Sequence, residues 1–247
     1  MRIELQFELE KAELPKDNKS IWISFLKNVI SVCNNGKFYD RYFSEVSQKD
    51  YTFSILLAKP KFVEEKVFLE NNQVKMIFSA DDRRKTGLIF YAAFIQAKRR
   101  RFSLPEGNGM MLNQVRQLGE RLITGSKVVF RTVTGGGLVV REHNSETNQD
   151  KYYTFQDEGF EEKLKIVLRT QAEGAGFSGE LAERIKVTPI QCRKVLVKFY
   201  GRYVDTTVGI FQLEGDTDLL QYFYQAGIGS RHSAGFGLMD IVTQEDV

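Results

Sequence analysis

Between Arg2 and Leu9 the apolar residues Ile3, Leu5, Phe7 and Leu9 alternate with polar ones, the period of a strand with one buried face. The period then changes. From Lys19 to Val32, Ile21, Phe25, Val29 and Val32 recur every three or four residues, which predicts an amphipathic helix with Trp22 widening its buried stripe. A polar, aromatic stretch runs from Asn34 to Asp50. Strands are then predicted at Tyr51 to Ala58, Lys61 to Glu70 and Gln73 to Ala80, with Asn71-Asn72 as a hairpin turn between the last two. A helix over Asp82 to Ala97 and a strand near Met110 to Leu118 complete a β-α-β-β-α-β order with one extra hairpin strand.

The same order returns in the second half, without residue-level identity. Its predicted elements are a strand at Lys127 to Val133, a hairpin-like excursion through Gly135-Gly136-Gly137 to Tyr153, and a helix at Asp157 to Ala172. Strands follow at Ile185 to Thr188, Arg193 to Tyr200 and Thr206 to Leu213, then a helix at Asp216 to Gln225 and a closing strand within Phe236 to Val242. The reading is an α+β chain of two modules, residues 1–122 and 123–247, joined near Glu120 to Ser126. Each is an antiparallel sheet with helices on one face, and a groove between them is the expected place for a ligand.

With 247 residues, of which 42% are hydrophobic, the chain holds enough apolar surface for packed cores, so a globular protein is expected. The formal charge of +3 does not by itself announce a nucleic-acid partner, but its distribution is uneven. Arg83-Arg84-Lys85 and Lys98-Arg99-Arg100-Arg101 bracket the predicted helix at Asp82 to Ala97. They read either as phosphate contacts or as the solvated ends of a surface helix. Cys33 and Cys192 are far apart, and the chain has only two histidines, His143 and His232, so no metal site is predicted. No signal peptide and no apolar run of membrane-spanning length is present, which makes a cytoplasmic location the expectation.

The densest chemical signal lies at Gly227-Ile228-Gly229-Ser230-Arg231-His232-Ser233-Ala234-Gly235-Phe236-Gly237. Its helix-loop-strand setting matches neither a Walker loop nor a dinucleotide fingerprint, both of which precede a helix. Glycines here let backbone amides turn toward a ligand, and Arg231 with a protonated His232 favours an anion, so the expectation is a phosphate or RNA contact through Gly227, Gly229, Ser230, Arg231, Gly235 and Gly237. The plainer reading is that the glycines end a helix and permit a tight connection.

This loop, of the form GxGxxxxxGFG, resembles that of the CRISPR-associated repeat-processing endoribonucleases, Cas family six. So do the tandem modules, the block Tyr42-Phe43-Ser44-Glu45-Val46 followed by Lys49 and Tyr51-Thr52-Phe53-Ser54, and the second-module opening Val128 to Arg141 with Phe130-Arg131-Thr132-Val133 and Val139-Val140-Arg141. The resemblance spans nearly the whole chain and implies ferredoxin-like (RRM-like) modules. It also implies metal-independent, cofactor-free cleavage of CRISPR repeat RNA, in which a 2′-hydroxyl attacks the neighbouring phosphate and leaves 2′,3′-cyclic phosphate and 5′-hydroxyl ends.

The chain departs from the family pattern where many members carry a histidine, a position matched here by Ser44. The first-helix tyrosine of the family is matched by Lys27, whereas Lys49 keeps the expected lysine. Lys27, Tyr39, Tyr42, Ser44 and Lys49 are therefore the catalytic candidates, lysine stabilising phosphorane charge and a tyrosine or lysine moving a proton. His232 is a further acid-base candidate, while His143 reads as part of a solvated hairpin tip. Arg83, Arg84, Lys85, Arg99, Arg100, Arg101 and Arg231 are phosphate candidates by charge and clustering. Tyr39, Tyr42, Tyr51, Tyr152 and Tyr153 read either as base-stacking surfaces or as half-buried structural residues. The implied partners are a CRISPR repeat RNA and, as further assemblies, a CRISPR effector complex or a homodimer, with no membrane. Without the family histidine, a non-catalytic repeat-RNA-binding protein or backbone subunit of an effector complex is the alternative function.

Overall fold

Strand β1 (Arg2–Leu9) buries all four of its alternating apolar side chains, as its period requires. The computed structural model to which it belongs describes residues 1–45 and 47–245. The elements that follow are β2 (Glu13–Pro15), α1 (Lys19–Val32), β3 (Tyr51–Leu57), β4 (Lys61–Val63), β5 (Lys66–Phe68), β6 (Gln73–Ala80), α2 (Thr86–Ala97), β7 (Arg101–Ser103) and β8 (Gly109–Leu118). The buried stripe of α1 meets β1 through aromatic edges, Phe7 lying 5.3 Å from Trp22 and 5.0 Å from Phe25 between ring centroids.

The second half comprises β9 (Lys127–Thr132), β10 (Val140–Asn144), β11 (Gln149–Tyr153), α3 (Phe160–Gly174), α4 (Gly179–Glu183), β12 (Lys186–Phe199), β13 (Arg202–Glu214), α5 (Thr217–Ala226) and β14 (Met239–Gln244). The main sheets run β3-β6-β1-β8-β7 and β12-β13-β9-β14, with antiparallel neighbours throughout. Counting each half's core strands in chain order, both sheets read 2-3-1-4, so the fold is two tandem ferredoxin-like modules. One large apolar cluster draws on residues up to Leu112 and the other begins at Ile123.

Several predicted elements change extent, each for a local reason. The strand expected over Lys61 to Glu70 breaks into the β4–β5 hairpin, with Glu64 in the left-handed region at φ 48°. Because β5 pairs with β2 and β4 while β6 pairs with β1 and β3, Asn71-Asn72 is not a hairpin turn. The strands predicted at Ile185 to Thr188 and Arg193 to Tyr200 are one, β12, whose register shifts between Pro189 and Gln191. Proline, lacking an amide hydrogen, is tolerated there because β12 is an edge strand. Helix α2 starts four residues later than Asp82 because Lys85 turns left-handed, and Asp82 Oδ1 accepts the amide of Gly87 at 2.9 Å.

The modules meet through one face of the first sheet. Thr52, Ser79 and Arg2 are register partners across β3, β6 and β1, forming a transverse row. Thr52 Oγ1 donates to the carbonyl of Phe236 at 2.7 Å, Ser79 Oγ to that of Gln225 at 2.7 Å, and Arg2 to Met239 and to Asp240 Oδ1. Alternation along β3 sends Tyr51, Phe53 and Ile55 into the first core and leaves Thr52 and Ser54 facing the second module. Polar side chains of one module thus satisfy backbone carbonyls of the other, which a buried seam requires.

Candidate active site

The glycine-rich segment after α5 occupies this seam. Gly227 (φ 85°) and Gly235 (φ 87°) adopt a conformation open mainly to glycine, and a β-carbon at either would come within 2.7 Å of Thr52 or of the Phe53 ring. Gly229 and Gly237 are buried beside them. The amides of Gly227, Ile228, Ser230, Gly235 and Gly237 donate to the carbonyls of Phe223, Gly237, Val139, His232 and Gly137, and that of Gly229 to Gln171 Oε1 at 3.0 Å. The expectation that the glycine amides face a ligand is therefore corrected. They are committed to protein, and close module packing explains the glycines. Ser230 Oγ accepts the amide of Arg141 at 3.2 Å, and Arg231 reaches Asp150 at 2.7 Å.

His232 is also a seam residue. Its Nδ1 lies 2.9 Å from the carbonyl of Tyr51 and its Nε2 2.6 Å from Gln48 Nε2. The carbonyl needs a donor and the amide supplies one, so Nδ1 carries the hydrogen and Nε2 accepts. Burial pushes the imidazole pKa down and keeps it neutral. With both nitrogens occupied inside the protein, His232 is not open to a substrate, which corrects its assignment as acid, base or anion contact.

The block from Asp40 to Asp50 folds back on itself. Lys49 Nζ donates to the carbonyls of Arg41 and Glu45, each at 2.9 Å, and approaches Ser47 Oγ at 3.3 Å. Its burial lowers its pKa. It thereby clamps the turn that carries Ser44, whose exposed hydroxyl donates to Asp40 Oδ1 at 2.8 Å. Tyr42 is 3% exposed and bonded to Thr86 Oγ1 at 3.1 Å, and burial raises its pKa. A phenol sealed in the core cannot exchange protons with a bound RNA, so Tyr42 is corrected to a structural residue. Tyr51 is buried as well, its ring stacked on Phe78 at 5.4 Å. Val46 lies outside the described residues.

Lys27 and Tyr39 converge on this turn. The exposed Lys27 ammonium sits 5.9 Å from the Phe43 ring centroid, and the half-buried Tyr39 ring 5.4 Å from it. Lys27, Tyr39 and Ser44 thus gather around Phe43 at the surface, over the loop that Lys49 closes.

The basic clusters separate. At 1.5 Å per residue, the 12 residues of α2 hold its ends about 18 Å apart. The cluster 83–85 adjoins the Lys49 block, since Arg41 donates to the carbonyl of Arg84 at 3.1 Å. Arg83 itself pairs with Asp81 at 2.8 Å and lies 4.4 Å over the Phe177 ring of the second module. Arg99 and Arg100 are exposed at the far end, and Arg101 is held by Glu10 at 2.5 and 2.8 Å.

A cavity of about 830 Å³ lies between the modules, where a groove was expected, but sequence reading did not single out its lining: Gly135 to Gly137, the C-terminal ends of β3 and β9, and the β12–β13 hairpin. Its charged residues are Lys16, Lys19, Arg131, Arg193 and Lys198, and among the described residues no carboxylate lines it. Lys19 is buried, its Nζ 2.6 Å from the carbonyl of Gly235, 3.2 Å from that of Gly135 and 4.2 Å over the Phe236 ring. Burial pushes its pKa down to about 7. The Gly135-Gly136-Gly137 run was the available signal, for a β-carbon at Gly135 would lie 2.2 Å from the carbonyl of Ile55. Among the described residues no group of three His, Cys, Asp or Glu side chains is placed to hold a metal ion, and no helix is long and apolar enough to cross a membrane.

A family model, CRISPR associated protein Cas6, C-terminal, matches residues 113–241. Among solved structures, the product of a Cas6-related gene from Pyrococcus furiosus is 18% identical, with a TM-score of 0.81 over 99% of both chains. An RAMP protein binding different RNA substrates is 18% identical, with a TM-score of 0.80 over 98% of this chain and 100% of that one. A Cas6 product complex is 14% identical, with a TM-score of 0.67 over 98% and 99%. These likenesses establish a shared two-module fold. No curated protein matches the chain in sequence.

Proposed function

The chain belongs to the Cas6 family of CRISPR-associated proteins, and from that membership we propose that it cuts the repeat RNA of a CRISPR transcript in the cytoplasm, without a metal or other cofactor. The observation that carries the reading is the gathering of Lys27, Tyr39 and Ser44 around Phe43, on a turn clamped by Lys49 and flanked by Arg84. In the reaction the 2′-oxygen bonds to phosphorus and the bond to the 5′-oxygen breaks. Charge grows on the phosphorane, which the free ammonium of Lys27 is placed to stabilise. Lys49 has already spent its hydrogens on the loop, so its part is to hold the turn.

The acid-free cavity supports the binding half of the proposal. Lys16, Arg131 and Arg193 supply positive charge beside the exposed rings of Phe62 and Tyr203, the combination that suits phosphates and unpaired bases. The division into modules 1–122 and 123–247, with RNA running between them, is part of the same proposal.

A second reading, a repeat-RNA-binding protein that does not cut, has its own support. The family histidine is matched by Ser44, which is bonded to Asp40, and His232 is sequestered. Incubation with the repeat RNA of the same locus in EDTA decides between them. One cut within the repeat supports the nuclease; tight binding without a cut supports the binder.

A further inference from the structure

Cleavage by 2′-hydroxyl attack needs a proton acceptor, and the first module has no histidine. Of the chain's two imidazoles, His232 has both nitrogens filled. His143 does not. It stands opposite Asp150 in the register of the β10–β11 hairpin, with Nδ1 2.8 Å from Asp150 Oδ1. That contact places the hydrogen on Nδ1 and leaves Nε2 as the acceptor, unbonded among the described residues, on a side chain 40% exposed.

The other carboxylate oxygen of Asp150 takes Arg231 at 2.7 Å, Arg141 at 3.2 Å and the hydroxyl of Tyr152 at 3.2 Å. Although burial alone would raise it, the Asp150 pKa is held below the usual carboxylate range by the His143 hydrogen bond and the two guanidinium charges. An ionised aspartate thus fixes the ring while two arginines leave positive charge beside it. The hairpin is anchored to the seam, since Tyr152 and Ile23 of α1 pack on the same cluster of Val139, Phe199, Val204 and Phe236. Lys27 lies one helical turn beyond Ile23.

On the reading that the protein cuts repeat RNA, we propose that His143, oriented by Asp150 and flanked by Arg141 and Arg231, is the proton acceptor for the attacking 2′-hydroxyl. His143 Nε2 takes the 2′ proton as the O2′–P bond forms. The P–O5′ bond then breaks, water protonates the departing 5′-oxygen, and the imidazolium returns its proton to the hydroxide left behind. Arg141, Arg231 and Lys27 face the phosphorane charge. Asp150 is a positioning residue.

The test compares wild-type protein with His143→Gln and His143→Ala at saturating protein over repeat RNA in EDTA, with RNA affinity and thermal unfolding measured in parallel. A proton acceptor contributes about 10²- to 10⁴-fold, so both variants should lose at least about 100-fold in cleavage rate while binding RNA within about twofold of wild type. Added imidazole should restore part of the His143→Ala rate, which a structural role would not allow. Wild-type cleavage rates in His143→Gln would overturn this assignment and leave the nuclease reading intact. Slow cleavage with weakened binding and no imidazole rescue would overturn it as well. Absence of cleavage by the wild-type protein would overturn the nuclease reading, and His143 catalysis with it.

Discussion

His232 Nδ1 donates to the backbone carbonyl of Tyr51 at 2.9 Å, so a histidine of the second module closes the backbone of the first. Removing it should cost stability. His232→Ala is expected to destabilise the fold by about 2 kcal/mol, through an unpaired carbonyl and a small void, with single-turnover cleavage unchanged wherever the protein remains folded. Chemical denaturation and a rate assay at low temperature check the two parts.

The same burial predicts acid sensitivity. The His232 pKa is lower folded than unfolded, so below about pH 6.5 the unfolded chain takes up a proton that the folded chain refuses. Stability should fall as pH drops through that window, and His232→Ala should flatten this part of the profile.

Lys19 predicts a trend at higher pH. Its folded pKa near 7 lies below the unfolded value of 10.5, so between those values the unfolded chain binds more protons and stability rises with pH. Lys19→Met keeps the stem without the charge. Thermal unfolding of the two proteins from pH 6 to pH 10 should show the wild-type midpoint gaining on the variant's, as the stability difference between them changes by on the order of a few kcal/mol at most.

Gly235 packs on Phe53 at a backbone angle that other residues rarely adopt. Gly235→Ala should destabilise by about 2 kcal/mol or more, because the strained φ and the clash add. Urea unfolding checks this.

The separation of the two basic clusters makes their substitutions unequal. Arg84→Ala, beside the Lys49 block, should weaken repeat-RNA binding and reduce the log-log salt slope by about 0.7, the loss of one phosphate contact. Arg100→Ala, at the far end of α2, should change neither. Binding titrations between low and moderate salt distinguish them.

Elements were legible where one residue's neighbours in sequence are also its neighbours in space. The helix predicted from Lys19 to Val32 has those bounds in the structure, because its stripe of Ile21, Phe25 and Val29 is a local pattern. The break at Lys85 and the bulge at Pro189 depend on backbone angles and edge position, which apolar periodicity does not carry. The candidate site was half legible. Lys27, Tyr39, Ser44 and Lys49, named from the family resemblance, lie on or beside one turn, whereas Tyr42 and His232 look polar in sequence and are buried by residues far along the chain. The glycines were recognised as special; that they serve close packing of two modules required knowing what lies opposite, Thr52 and Phe53. Lys19 and the pair His143–Asp150 owe their character to partners more than a turn away, and nothing in their immediate sequence marks them.

The central claim is cleavage by the RNA's own 2′-hydroxyl on a metal-free surface. The most direct measurement incubates the protein in EDTA with repeat RNA and with the same RNA carrying one 2′-deoxy nucleotide at the mapped cut, then analyses the ends. The account predicts one cut with 2′,3′-cyclic phosphate and 5′-hydroxyl ends in the first RNA, and binding without cleavage in the second. Equal cleavage of both RNAs, or no cleavage of either, would contradict it.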